Sequence, residues 1–287
     1  MKILLLGANG QLGWELARTC PKDVMLEVCD YPKVDFASAA SLKNCIQKAS
    51  PDCIINAAAY TAVDKAEQEK ALAYKINHTA VVLLAKIARE KGIKLVQIST
   101  DFVFSGQQHK PYQPGDRPDP ESVYGKSKLA GEQAVQTILG DQALIVRTAW
   151  LYSAHGNNFV KTMLGLMAQK ERLNVIDEQV GTPTWAFELA QAVWTCVQKD
   201  IRGIYHWTDA GVASWYDFSV AIQEEGLAAG LLKKCIPILP IPGSLYPTPA
   251  KRPCYGVLDK RSLWEKTGIV PVHWRVQLRY MLKELVK

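Results

Sequence analysis

The chain has 287 residues, 48% of them hydrophobic and 22% charged, which fits a soluble globular protein with one large core, or one core and a smaller lobe. No run of about 18 or more apolar residues occurs, so no membrane span is expected. The net charge of +6 is spread rather than clustered, which gives no footprint for nucleic acid and suits at most an anionic small substrate.

Lys2–Leu6 is a short apolar run leading straight into a glycine turn. It is too short for a signal peptide and reads as the first buried strand of a cytoplasmic protein. Gln11–Cys20 has helical spacing, Met25–Cys29 is apolar and ends at Asp30, and Ser41–Ala49 reads as a helix. Cys53–Asn56 is a further apolar run, Ala66–Lys91 a long helical pattern closed by Gly92, and Lys94–Ser99 a strand. Val123–Leu139 is a helix rich in Ala, Lys, Glu and Gln, and Leu144–Arg147 the next strand. Strands alternating with helices of this length predict an α/β fold: a Rossmann-type, doubly wound parallel sheet with helices on both faces, taking ligands beyond the carboxyl ends of its strands.

Residues 1–150 are therefore expected to form a dinucleotide-binding domain. Past about Leu151 the pattern loosens. Phe159–Gln169 and Ala186–Lys199 read as helices, six prolines from Pro237 to Pro253 forbid regular helix, and Val272–Lys287 is an amphipathic helix. Residues 151–287 are expected to be mainly a smaller substrate-binding lobe, with some segments returning to the main sheet. Cys20, Cys29, Cys45, Cys53, Cys196, Cys235 and Cys254 are odd in number and lack C-x-x-C spacing, so they read as small apolar residues in a reducing compartment.

Gly7-Ala8-Asn9-Gly10-Gln11-Leu12-Gly13 follows a strand and opens a helix. Gly7 permits the tight turn, Gly10 lets backbone approach a pyrophosphate, and Gly13 allows close helix–strand packing. The free N–H groups of the helix start favour phosphate. Asp30, ending the second strand, can bond the adenosine ribose hydroxyls, which favours NADH; Lys33 nearby leaves NADPH open. Asp35 and Phe36 read either as an adenine contact or as a helix-leading loop. Ala57-Ala58-Ala59-Tyr60 after the third strand lets the cofactor lie close to backbone.

Tyr124 and Lys128 stand four residues apart at a helix start, so they share a face. Carbonyl reduction by hydride creates an alkoxide that needs a proton. A tyrosine supplies it best with an ammonium nearby to lower its pKa, and Lys128 can also hold the nicotinamide ribose. Thr100, at the end of the fourth strand, can polarise the substrate carbonyl, while Ser99 points into the sheet by strand alternation. Asp101 either orients substrate hydroxyls or caps the following turn.

These residues and their flanks resemble the dTDP-4-dehydrorhamnose reductase family of the extended short-chain dehydrogenases. The matching segments are Gly7–Gly13, Ala58–Glu67, Ser99–Phe104, Tyr124–Glu132, Arg147–Tyr152 and Asp177–Thr184, so the resemblance spans essentially the whole chain. It implies reduction of the 4-keto group of dTDP-4-dehydro-L-rhamnose, the last step to dTDP-L-rhamnose, with Thr100, Tyr124 and Lys128 catalytic. It places Thr100, Asp101 and Trp150 on the nucleotide-sugar, Trp150 packing on the apolar face of the deoxysugar. Gly10, Gln11, Leu12, Asp30, Asp35, Phe36, Ala58, Ala59, Tyr60, Tyr124 and Lys128 fall to NADH or NADPH. Asn77 stands where the superfamily has a structural asparagine. Arg252 is a candidate clamp for the substrate diphosphate. Some members are magnesium-bridged homodimers, which would place Mg²⁺ on Glu15, Glu188 and Glu284. Phe102 departs from the usual tyrosine. Another nucleotide-sugar reductase or epimerase, or a non-catalytic regulatory subunit, are the competing readings; intact Thr100, Tyr124 and Lys128 weigh against the last.

Overall fold

The computed structural model describes residues 1–286. β1 (Lys2–Leu6) leads into α1 (Gln11–Arg18), β2 (Met25–Cys29), α2 (Ala39–Ala49) and β3 (Cys53–Asn56). Then come α3 (Val63–Ala66), α4 (Lys70–Tyr74), a π-helical turn (Lys75–Thr79), α5 (Ala80–Lys91), β4 (Lys94–Thr100), α6 (Val123–Leu139) and β5 (Leu144–Thr148). The remainder supplies β6 (Leu151–Tyr152), α7 (Phe159–Gln169), β7 (Leu173–Ile176), β8 (Val180–Gly181), β9 (Thr184–Trp185) and α8 (Ala186–Gln198). β10 (Gly203–His206), β11 (Ala213–Ser214), α9 (Trp215–Ala228), β12 (Ile238–Ile241), α10 (Arg261–Thr267) and α11 (Trp274–Val286) complete it.

Six parallel strands form the main sheet in the order β10-β5-β4-β3-β1-β2. Strand alternation splits the core in two. Leu4, Leu6, Ile54, Leu95 and Ile145 pack against α2, α5 and α6, while Ile3, Leu5, Ile55, Val96 and Val146 pack against α1, α8 and α10. Both faces are covered, as a parallel sheet requires. The chain leaves β1 for β2 on one side and for β3 on the other, so a crevice opens at the carboxyl ends of β1 and β3, the topological switch point of such sheets.

The expected continuous helix from Ala66 to Lys91 is instead α3, α4, the π turn and α5. Its polar side chains are recruited elsewhere: Glu67 accepts from the Val123 N–H (2.8 Å), and Glu69 from the Tyr60 hydroxyl (2.6 Å). The closing Gly92 is left-handed, with φ of 66°. The expected terminal helix ran to Lys287, which lies outside the described residues.

Beyond β5 the chain forms a third core of Tyr152, Met163, Met167, Trp185, Phe218, Ile222, Trp274 and Leu278. β6–β9, β8–β11 and β7–β12 are three separate two-stranded pairs. Sequence patterning overlooked β7, β10, α9 and α10. In α9 the inward positions include Gln223 and Glu225, which break the apolar period. Gln223 brackets Ile236 (2.9 and 3.0 Å), and Glu225 accepts from Arg275 and Arg279 of α11. All seven cysteines are free, although the sulfurs of Cys29 and Cys45 lie 3.1 Å apart. Among the described residues no helix is long and apolar enough to cross a membrane.

Candidate active site

A cleft of about 570 Å³ runs along the carboxyl ends of β1, β3, β4 and β5. At one end lies the glycine turn. Gly7 has φ of +82°, and a Cβ there would meet the Ala58 nitrogen at 2.5 Å; one on Gly13 would meet the Gly7 oxygen at 2.0 Å. Any side chain at either position would push β1, β3 and α1 apart. Gly10 is the N-cap of α1, whose first N–H groups are free to receive phosphate oxygens. Gly7, Gly10, Gln11, Leu12, Asp30, Phe36, Ala58 and Ala59 all line the cleft. The Asp30 carboxylate accepts from the backbone N–H groups of Asn9 and Tyr31, both at 2.7 Å, which ties the end of β2 to the turn.

Asp35 and Tyr60 turn their side chains to other partners. The exposed Asp35 accepts from the Ala37 N–H (2.8 Å), the helix-leading loop of the two readings. Tyr60 turns its hydroxyl to Glu69, and its backbone is bracketed by the Asn77 amide (2.8 and 3.1 Å). Neither lines the cleft.

At the other end Thr100, Asp101, Tyr124, Lys128 and Trp150 line the same cleft. Ser122 caps α6 by accepting from the Gly125 N–H (3.1 Å), which starts the helix just ahead of Tyr124. Asn77, in the π turn, donates to Ser127 (3.0 Å), and Ser127 donates to the Tyr124 carbonyl (2.8 Å). Asn77 thus ties α6 to the loop after β3. Deeper in, Arg147 of β5 grips Glu132 of α6 through three contacts of 2.7–3.1 Å, with the two side chains 2% and 1% exposed. Sequence reasoning quoted both residues without pairing them; two opposite charges in otherwise apolar segments were the available signal.

Burial pushes the Tyr124 hydroxyl up to about 12, with the neighbouring Thr100 side chain acting the other way. Burial also brings the Lys128 ammonium down to about 8, against the attraction of Glu132. The expected lowering of Tyr124 by Lys128 is not found: desolvation dominates at Tyr124, and the ammonium donates to the Ile98 carbonyl (2.7 Å). Asp101 is raised to about 7 by burial, opposed by hydrogen bonds that include one from Thr100 (3.0 Å). Ser99 also lines the cleft, but its hydroxyl is buried without a partner. The Phe102 ring meets Tyr124 edge-on at 5.4 Å.

Two expectations are corrected. Arg252 does not line the cleft; its guanidinium is engaged by Asp64 (3.0 and 2.8 Å) and the Ala250 carbonyl. Nor do Glu15, Glu188 and Glu284 fit a magnesium site. Arg18 bonds Glu15 (2.6 Å) and Glu284 (3.0 Å), Ser153 donates to Glu15 (2.9 Å), and burial raises the Glu188 carboxyl above its ordinary range. Among the described residues no group of three or more such side chains is placed to hold a metal.

One lining segment escaped the sequence reading. Gly156 and Asn157 face the glycine turn, in a strap held by Asn158 donating to Gln11 (3.0 Å) and by the His155 ring against the Asn9 carbonyl (3.0 Å). The signal was Asn158 itself, a helix-capping residue just before Phe159.

The family profile described as the RmlD substrate binding domain matches residues 1–287. The dTDP-4-dehydrorhamnose reductase of Escherichia coli strain K12 is 40% identical, the alignment covering 99% of this chain and 98% of that one. The crystal structure of a dTDP-4-dehydrorhamnose reductase from Clostridium acetobutylicum superposes with a TM-score of 0.93 at 40% identity over 100% of both chains. That of the Bacillus anthracis enzyme in complex with NADP does so with 0.92 at 33% identity over 99% of each. A Rossmann-type sheet, a glycine turn and a Tyr-x-x-x-Lys helix on one cleft, with these likenesses over the full length, establish that the chain belongs to the dTDP-4-dehydrorhamnose reductase family.

Proposed function

We propose that the protein reduces the 4-keto group of dTDP-4-dehydro-L-rhamnose to give dTDP-L-rhamnose, the last step of dTDP-rhamnose biosynthesis, in the cytoplasm. The carrying observation is that Thr100, Tyr124, Lys128 and Trp150 share one cleft with the glycine turn. Residues beyond Leu151 supply the sugar-facing lobe. The glycine turn, the α1 N-terminus, Asp30, Phe36 and the Ala58-Ala59 backbone fit a nicotinamide dinucleotide, NADH or NADPH, with Asp30 receiving ribose hydroxyls. When bound, that cofactor supplies hydride to the carbonyl carbon.

Tyr124, held protonated by burial, keeps the proton destined for the carbonyl oxygen at its phenolic oxygen. The Thr100 hydroxyl, which donates to Asp101 (3.0 Å), stands beside Tyr124 and counters part of the rise that burial imposes on it. Lys128, at the floor of the cleft, carries a charge that falls away near pH 8 and stabilises the developing negative charge while it is present. Trp150 offers an apolar wall to the deoxysugar.

The test is a coupled assay from dTDP-glucose and the two upstream enzymes, followed at the reduced-nicotinamide absorbance band with each cofactor. Tyr124→Phe should lower kcat by roughly 10²–10⁴-fold while cofactor binding survives. Near-normal turnover in that variant would remove Tyr124 from the mechanism. Tight cofactor retention without net oxidation would turn the reading towards an epimerase.

A further inference from the structure

We infer that Gly181 and Trp215, neither of which touches the Tyr124–Lys128 pair, determine sugar specificity by fixing the indole of Trp150 as a wall of the cleft. The inference rests on the proposed sugar reduction. Trp150 has φ of +46°, a left-handed conformation that a bulky L-residue rarely adopts without surrounding structure to impose it. Three constraints impose it. The Trp150 carbonyl accepts from the Thr184 N–H (3.1 Å), beside the Leu151–Thr184 pairing of β6 and β9. The indole stacks on Trp215 with ring centroids 3.5 Å apart and planes 6° from parallel. Gly181 abuts the same indole so closely that a Cβ there would lie 2.6 Å from Cε2, 2.7 Å from Nε1 and 2.9 Å from Cζ2.

One small piece of structure delivers both constraining residues. β8 and β11 pair antiparallel with Gly181 opposite Ala213, and Trp215 follows two residues later as the first residue of α9. The indole is therefore held by its neighbours before any ligand arrives, and it lines the cleft with Thr100 and Tyr124. A rigid aromatic surface there packs well on C–H groups and offers little to a hydroxyl. It would favour a sugar bearing a methyl group at C6 over one bearing hydroxymethyl, because the latter would lose water contacts without recovering them. Gly181 matters through the volume it leaves empty: an added methyl must move the indole.

The test uses the full chain in three variants. Gly181→Ala should raise KM for the dTDP-4-keto-6-deoxysugar at least about tenfold, in line with the effect of one methylene in a tight pocket, and leave the cofactor dissociation constant within about twofold. Trp215→Leu should shift KM in the same direction and covers the case in which Gly181→Ala fails to fold. Both should lose the exciton couplet that a stacked indole pair gives in circular dichroism. In a Trp150→Ala background, Gly181→Ala should have no further effect on KM. An unchanged sugar KM in folded Gly181→Ala, or an equal KM penalty without Trp150, overturns the inference. Absence of turnover with any nucleotide-linked 4-keto sugar in the unmutated protein would instead overturn the proposed function, and the couplet would still report whether Gly181 holds the indole pair.

Discussion

The two ends of the cleft are built by different means. At the end proposed for the cofactor, strand ends and a glycine turn present backbone, and side chains matter mostly by being small. At the end proposed for the sugar, short strand pairs hold large aromatic rings in enforced positions. A backbone-built site follows from sheet topology, so it was visible in chain order. A wall built of rings depends on contacts between residues far apart in sequence, such as Trp150 with Trp215 and Gly181.

The sharpest way to break this comparison is through the charges that brace the main sheet on one side and the lobe beyond β5 on the other. Glu132 and Arg147 pair out of solvent between α6 and β5, directly under the Tyr124–Lys128 face. Glu132→Gln leaves a buried guanidinium short of its partner and should cost about 3–5 kcal/mol. In the second region Glu225 pairs with Arg275 and Arg279, whose side chains are 38% and 49% exposed. Glu225, itself only 8% exposed, faces two guanidiniums that water reaches, so Glu225→Gln should cost less, about 1–2 kcal/mol. Urea unfolding of both variants checks this. Equal losses would mean that the helix carrying Tyr124 is not specially braced.

The same contrast governs what was legible in sequence. Lys2–Leu6, Cys53–Asn56 and Val123–Leu139 emerged with their observed limits, because both faces of the sheet are apolar and α6 has a capping Ser122 and a terminal Gly140. The residues lining the cleft around Thr100, Tyr124, Lys128 and Trp150 were found by motif and by family resemblance. What stayed hidden was set by partners distant in sequence. The π turn at Asn77 exists to reach Tyr60 and Ser127, and α9 hides its period behind inward Gln223 and Glu225. Arg252 looked like a free clamp only because Asp64, its partner, lies 188 positions earlier.

A smaller effect concerns the carboxyl of Asp101, which burial raises to about 7. A folded-state pKa above the unfolded value means that the native protein holds its proton while the unfolded chain releases it. Stability therefore falls as pH rises from about 4 to 7 and stays low above that range. Asp101→Asn removes this loss, so its stability relative to the parent should grow by about 2–4 kcal/mol between pH 4 and pH 8. Asp209, in the second region, is raised in the same direction by burial, against a bond from the Trp185 N–H (3.0 Å). Denaturant midpoints across pH check the slope; a flat difference for Asp101→Asn would mean that Asp101 is already ionised in the folded protein at pH 4.

The smallest effect separates a cap that serves only its helix from one that joins the two regions. Asn158 caps α7 by accepting from the Lys161 N–H (3.1 Å), and its amide also donates to Gln11 on the nucleotide turn (3.0 Å). Ser38 caps α2 by accepting from Ser41 (3.3 Å) and does not line the cleft. Either residue changed to Ala should cost about 1 kcal/mol and roughly 2–4 °C in Tm. Only Asn158→Ala should also weaken cofactor binding, by about 1 kcal/mol or roughly fivefold, since Gln11 then loses the bond that sets its side chain against the strap. Calorimetry with a parallel cofactor titration distinguishes the two. Matching affinities in both variants would show that the strap over the glycine turn holds its place without Asn158, and that the cofactor end is complete within the first half of the chain.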